Sequence, residues 1–248
     1  MRHRPRKRFG QHFLHDQGVL ARIVGALDPK PGDCLVEIGP GEGALTRRLL
    51  EKVATLTAIE IDRDLADALE AEFPRQRLVL HRADALEFDF SSLPGGARIV
   101  GNLPYNISTP ILFRLAECGE RFRDLHFMLQ LEVVERMVAA HSTPEYGRLS
   151  VMLQARFAMQ KLFRVGAGAF RPPPKVESAV VRMVPLRDVA LPGNFAGIVR
   201  QAFSARRKTL RNALGLAPAQ FEALGLDPGL RPENLSPAEY LRIARHIT

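Results

Sequence analysis

The strongest constraint on the fold is an alternation, sustained as far as Pro185, between short apolar runs and amphipathic stretches of helical period. Strand-like runs that alternate with helical stretches are typical of strands paired in parallel through crossover helices. We therefore predict an α/β fold built on a doubly wound, mostly parallel sheet. The predicted strands are 34–38, 55–60, 78–81, 98–101 and 125–129, and the predicted helices are 44–52, 63–73 and 107–118.

The pattern changes after Pro185, where only helical stretches follow. Before that point, two strand-like segments enclose a Gly/Pro-rich stretch, which favours a hairpin-like pair at the end of the sheet; the strands are 161–165 and 176–184. We expect two domains with a boundary between 186 and 192: residues 1–187, including a basic tail at 1–9, and a smaller all-helical C-terminal domain at 188–248. The predicted C-terminal helices are 194–204, 206–214, 218–224 and 237–246.

The excess of basic residues indicates a polyanionic partner. Lys and Arg number 35 against 27 Asp and Glu, a formal net charge of +8. Nucleic acid is the commonest partner of a protein with such a net charge, although a soluble basic protein without a polyanionic partner can have the same net charge.

Neither the cysteines nor the hydropathy suggests a metal site or a membrane segment. Cys34 and Cys118 lie apart in apolar stretches without a ligand pattern, so we expect reduced thiols and no bound metal. No run approaches the roughly 18 apolar residues that a membrane-spanning helix needs. The basic stretch Arg2–Arg8 leads into Phe9 and Gly10 rather than an apolar core, unlike a secretory signal. We therefore expect a cytoplasmic protein.

A glycine-rich loop follows the first strand of the alternation, in the order Glu37-Ile38-Gly39-Pro40-Gly41-Glu42-Gly43. Glycines at such a turn let the backbone approach a ligand closely. The spacing differs from the G-x-G-x-x-G of dinucleotide sites, and the carboxylate of Glu37 would repel a phosphate. The loop therefore favours a ligand without phosphates.

Three further polar residues stand at or near the ends of successive strands. Glu60 lies 21 residues after Gly39, about the separation expected for an acid that binds two ribose hydroxyls. Asp84 ends the next strand, where it can accept a hydrogen bond from an adenine amino group, and Asn102 ends the one after. Such strand ends form the ligand-binding edge of an open α/β sheet. Two alternatives stay open: Asp62 in place of Glu60, and Asp84 as a helix N-cap.

The segment Asn102-Leu103-Pro104-Tyr105 combines an amide oxygen, a carbonyl next to proline and an aromatic ring. Such a set can hold the amino group of a planar base while the ring stacks on its face. Acceptors on both N–H groups favour the pyramidal, nucleophilic form of the amine as a bond is made. The alternative is an ordinary turn after a strand.

Taken in order, these motifs resemble the ribosomal RNA adenine N6-dimethyltransferase family of class I S-adenosylmethionine-dependent methyltransferases. The resemblance covers almost the whole chain. It includes Phe9–Leu14, Glu37–Gly43, Glu60, Asp84, Gly101–Thr109 and Phe170–Val176. The family often has Asn where this sequence has His12. The resemblance implies a Rossmann-like methyltransferase sheet.

The resemblance also implies roles for individual residues. S-adenosylmethionine would contact His12, Leu14, Gly39, Gly41, Glu60, Asp84 and Asn102. Asn102 and the Leu103 carbonyl would accept from the target N6, with Tyr105 and Phe170 on the two faces of the adenine. Burial in the core is the alternative for Phe170. We favour stacking because Arg171 and three prolines follow it in a stiff segment.

The implied reaction is dimethylation of N6 on two adjacent adenosines in a loop near the 3′ end of small-subunit (16S) ribosomal RNA during small-subunit biogenesis. The expected partner is ribosomal RNA within a small-subunit particle, bound by a monomer. A basic run is predicted for RNA contact and consists of Arg206, Arg207, Lys208 and Arg211, of which Arg207, Lys208 and Arg211 are expected along one helical face. A solvated face is the alternative.

Three other functions remain possible at this point. An enzyme of the macrolide-resistance type, acting on large-subunit RNA, has similar motifs. Protein-glutamine and DNA-adenine methyltransferases usually carry a second proline where this sequence has Leu103. A non-catalytic RNA-binding assembly factor on the same scaffold would not need the intact glycine loop, Glu60 and Asn102.

Overall fold

A computed structural model describes residues 11–204 and 207–247 of the protein. Its centre is a seven-stranded sheet in the order β4-β3-β2-β5-β6-β9-β7. These strands are β2 (Leu35–Ile38), β3 (Leu56–Glu60), β4 (Leu78–Arg82), β5 (Ala97–Asn102), β6 (Phe122–Gln130), β7 (Phe157–Val165) and β9 (Ser178–Pro185). Two short strands, β1 (Phe13–Leu14) and β8 (Phe170–Arg171), form a separate antiparallel pair.

Ten α-helices accompany the strands in the described residues. They are α1 (Gln17–Leu27), α2 (Ala44–Leu50), α3 (Arg63–Glu72), α4 (Ser108–Glu117), α5 (Leu131–Val138), α6 (Arg148–Gln154), α7 (Phe195–Ser204), α8 (Leu210–Leu214), α9 (Pro218–Leu224) and α10 (Pro237–His246). None of the described helices is long and apolar enough to cross a bilayer.

Strands β2 to β6 pair in parallel, and β9 runs antiparallel to β6. The predicted doubly wound, mostly parallel sheet is therefore confirmed. From β2, the chain builds the sheet in one direction through β3 and β4 and in the other through β5 and β6. Connections that leave β2 and β5 on opposite sides open a crevice at the carboxyl ends of these two strands.

Helix α1 was not predicted, although its sequence carries the signal. Its buried residues Leu20, Ile23, Val24 and Leu27 recur at helical spacing and pack in the core cluster that also contains side chains of α2, β2 and β3. Asp16 starts the helix as its N-cap, accepting from the Val19 amide at 2.8 Å. The N-cap therefore makes α1 begin shortly after the end of β1.

The chain divides into two compact units, residues 1–134 with 160–185, and residues 135–159 with 186–248. The sequence prediction placed 135–159 in the first domain. The structure groups this segment with the C-terminal helices because Tyr146, Val151 and Ala155 pack in the same apolar cluster as Phe195 and Tyr240. The Tyr146 hydroxyl also donates to the Leu235 carbonyl at 2.9 Å. The helical unit is therefore larger than predicted.

The helix predicted at 206–214 is shorter in the structure. Thr209 is the N-cap residue, and α8 begins at Leu210. Arg207 and Lys208 precede the helix, so they do not share a helical face with Arg211, and that part of the prediction is wrong. Arg206 and the basic tail at 1–9 lie outside the described residues.

Candidate functional site

A pocket of about 290 Å³ lies at the carboxyl ends of β2, β3 and β5. This volume is near the lower end of the range for small-molecule sites. All the site residues predicted for the sheet, except Phe170, line it: His12, Leu14, Gly39, Gly41, Glu60, Asp84, Asn102, Leu103 and Tyr105. Five chain segments that are separate in sequence therefore meet at one cavity.

The glycine loop forms one wall of this pocket with backbone that only glycine adopts readily. Gly39, Gly41 and Gly43 have φ of 69°, 58° and 77°. A Cβ on Gly41 would lie 3.1 Å from the Cδ1 atom of Phe13. The loop and the β1 segment therefore approach closely because Gly41 has no side chain.

Glu60, rather than Asp62, faces the pocket. The Glu60 carboxylate is held by two backbone amides, from Gly41 at 3.1 Å and from Asp62 at 2.8 Å. A carboxylate has about four acceptor positions, so these two amides leave acceptor capacity for a hydroxyl group of a ligand. Asp62 is fully buried and acts as the N-cap of α3. Glu60 is therefore available to a ligand, whereas Asp62 stabilises the start of α3.

Glu37 is a buried acid on the pocket wall. It is 2% exposed, and its Oε2 atom accepts from the Thr46 hydroxyl at 2.7 Å. Burial raises the pKa of Glu37 to about 7, and the nearby charge of Glu60 acts in the same direction. Burial also raises the pKa of Glu60 above its usual value. A cation bound between them would favour the ionised form of both.

The charges around the pocket have one sign. Among the described residues, its lining contains four acidic side chains, Glu37, Glu42, Glu60 and Asp84, and neither lysine nor arginine. A phosphate would meet repulsion and find no cationic partner, whereas a ligand with positive charge gains from these carboxylates. The pocket therefore suits a cationic ligand without phosphates, as the loop sequence indicated.

Asp84 stabilises a turn and also lines the pocket. The residues after Asp84 form a turn rather than a helix, so the helix N-cap alternative is wrong. One of the two Asp84 side-chain oxygens, Oδ1, accepts from the Leu86 amide at 2.8 Å. The other accepts from none of the described residues and is available to a ligand.

The Asn102 side chain is oriented by a main-chain contact. Its Nδ2 atom donates to the His12 carbonyl at 2.9 Å. A carbonyl only accepts, so this contact fixes which end of the amide is nitrogen. Within the described part of the chain, neither Asn102 Oδ1 nor the Leu103 carbonyl accepts a hydrogen bond. Two adjacent acceptors therefore stand unused at the pocket.

Tyr105 is held at the pocket by contacts on its ring and its hydroxyl. The ring stacks on His12 with centroids 5.5 Å apart, and the hydroxyl lies 2.7 Å from the Ser178 Oγ atom. Burial raises the pKa of Tyr105, so the hydroxyl stays neutral at physiological pH. The result is a fixed aromatic platform beside Asn102.

Phe170 does not lie where the sequence prediction put it. Its side chain is 2% exposed and belongs to the core cluster of Leu14, Met128 and Val180. Strand β8 pairs Phe170 with Leu14, which directs the ring inward. The expectation that this proline-rich segment is a poor place to bury a ring is wrong, because the prolines begin only after the short strand. In this conformation, the ring has no face open for stacking.

The profile of one family, described as ribosomal RNA adenine dimethylase, matches residues 2–248. The chain belongs to this family. Its relatives include proteins named ribosomal RNA small subunit methyltransferase A. The one from Thiobacillus denitrificans is 56% identical over 251 residues, 99% of this chain and 98% of that protein. The one from Nitrosomonas eutropha is 56% identical over 253 residues, 100% of this chain and 98% of that protein.

Solved structures give the same family and the predicted Rossmann-like methyltransferase fold. A dimethyladenosine transferase from Plasmodium falciparum superposes with a TM-score of 0.81 at 26% identity, covering 94% of this chain and 96% of that one. The 23S rRNA methyltransferase ErmE gives a TM-score of 0.73 at 27% identity, covering 94% and 98%. The fold is therefore shared with a dimethyladenosine transferase and with a 23S rRNA methyltransferase.

Several residues that line the pocket of this family member were not predicted from its sequence, among them Ile61 and His126. Ile61 follows Glu60 and is 44% exposed although apolar, a signal that only the structure reveals. His126 on β6 is 2% exposed, and its ring nitrogens have no hydrogen-bond partner among the described residues. Burial lowers the pKa of His126 to about 4, so the ring is neutral at pH 7. Its strand position carried no sequence signal.

The basic run predicted for RNA contact in this dimethylase lies in the helical unit. Arg207, Lys208 and Arg211 are exposed. Arg207 and Lys208 stand in a turn and Arg211 in the first turn of α8. The cations are therefore open to solvent, although they do not form the continuous helical face expected from their spacing.

Proposed function

We propose that the protein uses S-adenosylmethionine to dimethylate N6 of two adjacent adenosines in a loop near the 3′ end of small-subunit ribosomal RNA. The observation that carries the proposal is an acidic pocket without lysine or arginine that opens onto two unused acceptors, the Asn102 amide oxygen and the Leu103 carbonyl. The first property suits a cationic cofactor, and the second suits an exocyclic amine.

The residues that line the pocket fit this cofactor. Glu60 has acceptor capacity left for the ribose hydroxyls, and Asp84 has an unused oxygen for the adenine amino group. The pKa of Glu37 is raised to about 7, and a nearby ammonium or sulfonium group would favour its ionised form. When bound, S-adenosylmethionine supplies an electrophilic methyl group on a positively charged sulfur.

The chain's contribution to methyl transfer is positioning. Asn102 and the Leu103 carbonyl accept the two N–H hydrogens of the target amine, which draws its lone pair out of conjugation with the ring. Tyr105 supports the extruded base from one side, and stacking on an aromatic ring is worth about 1–3 kcal/mol. Asn102 is neutral and takes no proton, so the methylated amine loses its proton to water.

The relatives support small-subunit RNA as the substrate. Those at 56% identity carry small-subunit names, whereas the 23S rRNA enzyme is 27% identical. The intact acceptor pair and the anchored Glu60 favour an active enzyme over a non-catalytic assembly factor. We accordingly place the protein in the cytoplasm with ribosomal RNA as its partner, acting as a monomer.

Replacing Asn102 with alanine tests the acceptor role. Loss of one acceptor that acts on developing charge typically costs about 10²–10³ in rate. We expect Asn102→Ala to lower the single-turnover rate by that factor at saturating cofactor, with the thermal unfolding midpoint little changed. A rate close to that of the wild type would contradict the role.

A further inference from the structure

Residues 171–178, here called the rim segment, connect β8 to β9 and are fastened to the pocket wall near both ends. The Pro172 carbonyl lies 2.7 Å from the His12 Nδ1 atom. At the other end, the Ser178 Oγ atom lies 2.7 Å from the Tyr105 hydroxyl. His12 and Tyr105 both line the pocket and stack on each other. The rim segment therefore runs alongside the base platform.

The rim segment is also stiff. Three consecutive prolines, Pro172, Pro173 and Pro174, each have φ restricted to about −65°. Pro174 is buried, which anchors the middle of the segment. Such a backbone loses little conformational entropy when the segment binds a partner.

Two cations on the rim segment have no partner among residues 11–204 and 207–247. Arg171 and Lys175 are exposed, and neither side chain forms an ion pair or hydrogen bond with any described residue. By contrast, Arg47 pairs with Glu72, and Arg82 with Asp67 and Glu70. The rim cations are therefore available to an anion outside the chain.

Val176 adds an apolar group to the same surface. It is 47% exposed, more than any other large apolar residue described as exposed. Glu177 beside it is exposed and acidic. Its carboxylate would repel a rigid partner whose negative charges are evenly and densely spaced along the whole segment. A flexible strand whose phosphates can reach the cations and whose sugars or bases can cover Val176 fits this pattern.

We propose that the rim segment binds the single-stranded RNA immediately flanking the target adenosine. Arg171 and Lys175 contact its phosphates, and Val176 contacts the apolar face of a neighbouring nucleoside. This inference rests on the proposed function, because extruding one adenine into the pocket leaves its neighbours at the mouth. Fastening to His12 and Tyr105 then couples RNA docking to the base platform.

The test compares two double variants for binding of small-subunit ribosomal RNA without cofactor. Arg171→Ala with Lys175→Ala removes the rim cations. Lys52→Ala with Arg75→Ala removes the same charge from exposed positions before the amino ends of β3 and β4, at the opposite edge of the sheet. Single-strand contacts each contribute roughly 0.7 to the slope of log affinity against log salt. We expect the rim variant to lower that slope by about 1.4 and the control to leave it unchanged.

A second comparison examines Val176. We expect Val176→Asp to weaken RNA binding about tenfold and Val176→Leu to retain it, with the affinity for S-adenosylmethionine unchanged in both. The inference is overturned if the rim and control double variants have the same salt slope, or if Val176→Asp weakens cofactor binding as much as RNA binding. If the rim double variant lowers the salt slope as expected but the wild-type protein transfers no methyl group, the proposed function is contradicted and the rim inference is not.

Discussion

Glu60 and Asp62 lie two residues apart and contact different parts of the molecule. Glu60 accepts two backbone amides at the pocket, and Asp62 caps α3. Hydrogen bonds to a charged group are worth about 1.5–3 kcal/mol, or roughly 10- to 150-fold in affinity. We expect Glu60→Ala to weaken S-adenosylmethionine binding by such a factor in calorimetry.

Asp62→Ala is the matched control for Glu60. Loss of an N-cap costs about 1 kcal/mol of stability. We expect this variant to unfold at a lower temperature but to bind the cofactor within about threefold of the wild type. The opposite ranking of the two variants would assign the ribose contact to Asp62.

Glu37 makes stability depend on pH in a defined direction. Its pKa rises from 4.5 in the unfolded chain to about 7 in the fold. Between these values the folded state holds a proton that the unfolded state releases, so stability falls as pH rises from about 4.5 to 7 and levels off above. Thermal unfolding should therefore show a flatter pH profile for Glu37→Gln than for the wild type in this window. If stability depended on pH equally in both proteins, the raised pKa of Glu37 in the folded state would be contradicted.

At the residue scale, motif order predicted the polar residues that meet at the strand ends of the pocket. Glu60, Asp84 and Asn102 end strands or follow them, and parallel pairing brings those ends together. Contacts that depend on side-chain packing were not predictable. The hydrogen bond from Asn102 to the His12 carbonyl joins residues 90 apart in sequence. His126, whose ring nitrogens have no hydrogen-bond partner among the described residues, lies in a strand whose sequence does not distinguish it.

At the scale of elements, the pair of β1 and β8 decides what Phe170 does. A buried Phe replaced by Ala typically costs about 3–5 kcal/mol. We expect Phe170→Ala to lower the free energy of unfolding by this amount in urea, and Phe170→Leu to cost much less because the core stays filled. If Phe170→Ala instead keeps full stability and loses RNA methylation, the ring works as a base platform.

The parallel strands were predicted well because each is a continuous apolar run between turn residues. For example, β2 and β3 begin one residue later than predicted and end as predicted. The two-residue strands β1 and β8 gave no periodic signal, since their pairing is non-local. Helix α8 starts only at Leu210 because the backbone of Thr209 is extended. The spacing of the basic residues did not predict this later start.

At the scale of the whole molecule, the basic run in the helical unit is predicted to bind RNA. Changing Arg207, Lys208 and Arg211 to Ala should lower the slope of log affinity against log salt by roughly two units, at under one unit per contact. Cofactor affinity should stay the same, because that pocket lies on the sheet. The matched control replaces Arg200, Arg242 and Arg245, which are also exposed in the helical unit. If both triple variants had the same salt slope, the basic run would be a solvent-exposed surface that does not contact RNA.

The division into units was only partly visible in the sequence. The change of pattern after Pro185 marks one boundary, and the structure divides the chain at that residue. The inclusion of 135–159 in the helical unit depends on Tyr146 and Val151 packing with helices far along the chain, which local periodicity does not reveal.

Mapping the methyl groups identifies the substrate. Small-subunit particles that lack the modification would be incubated with the protein and methyl-labelled S-adenosylmethionine, and the labelled nucleotides identified in the ribosomal RNA. We expect N6,N6-dimethyladenosine at two adjacent positions in a loop near the 3′ end of the small-subunit RNA, and almost none with Asn102→Ala. Label in large-subunit RNA only, or no transfer by the wild type, would contradict the proposed function.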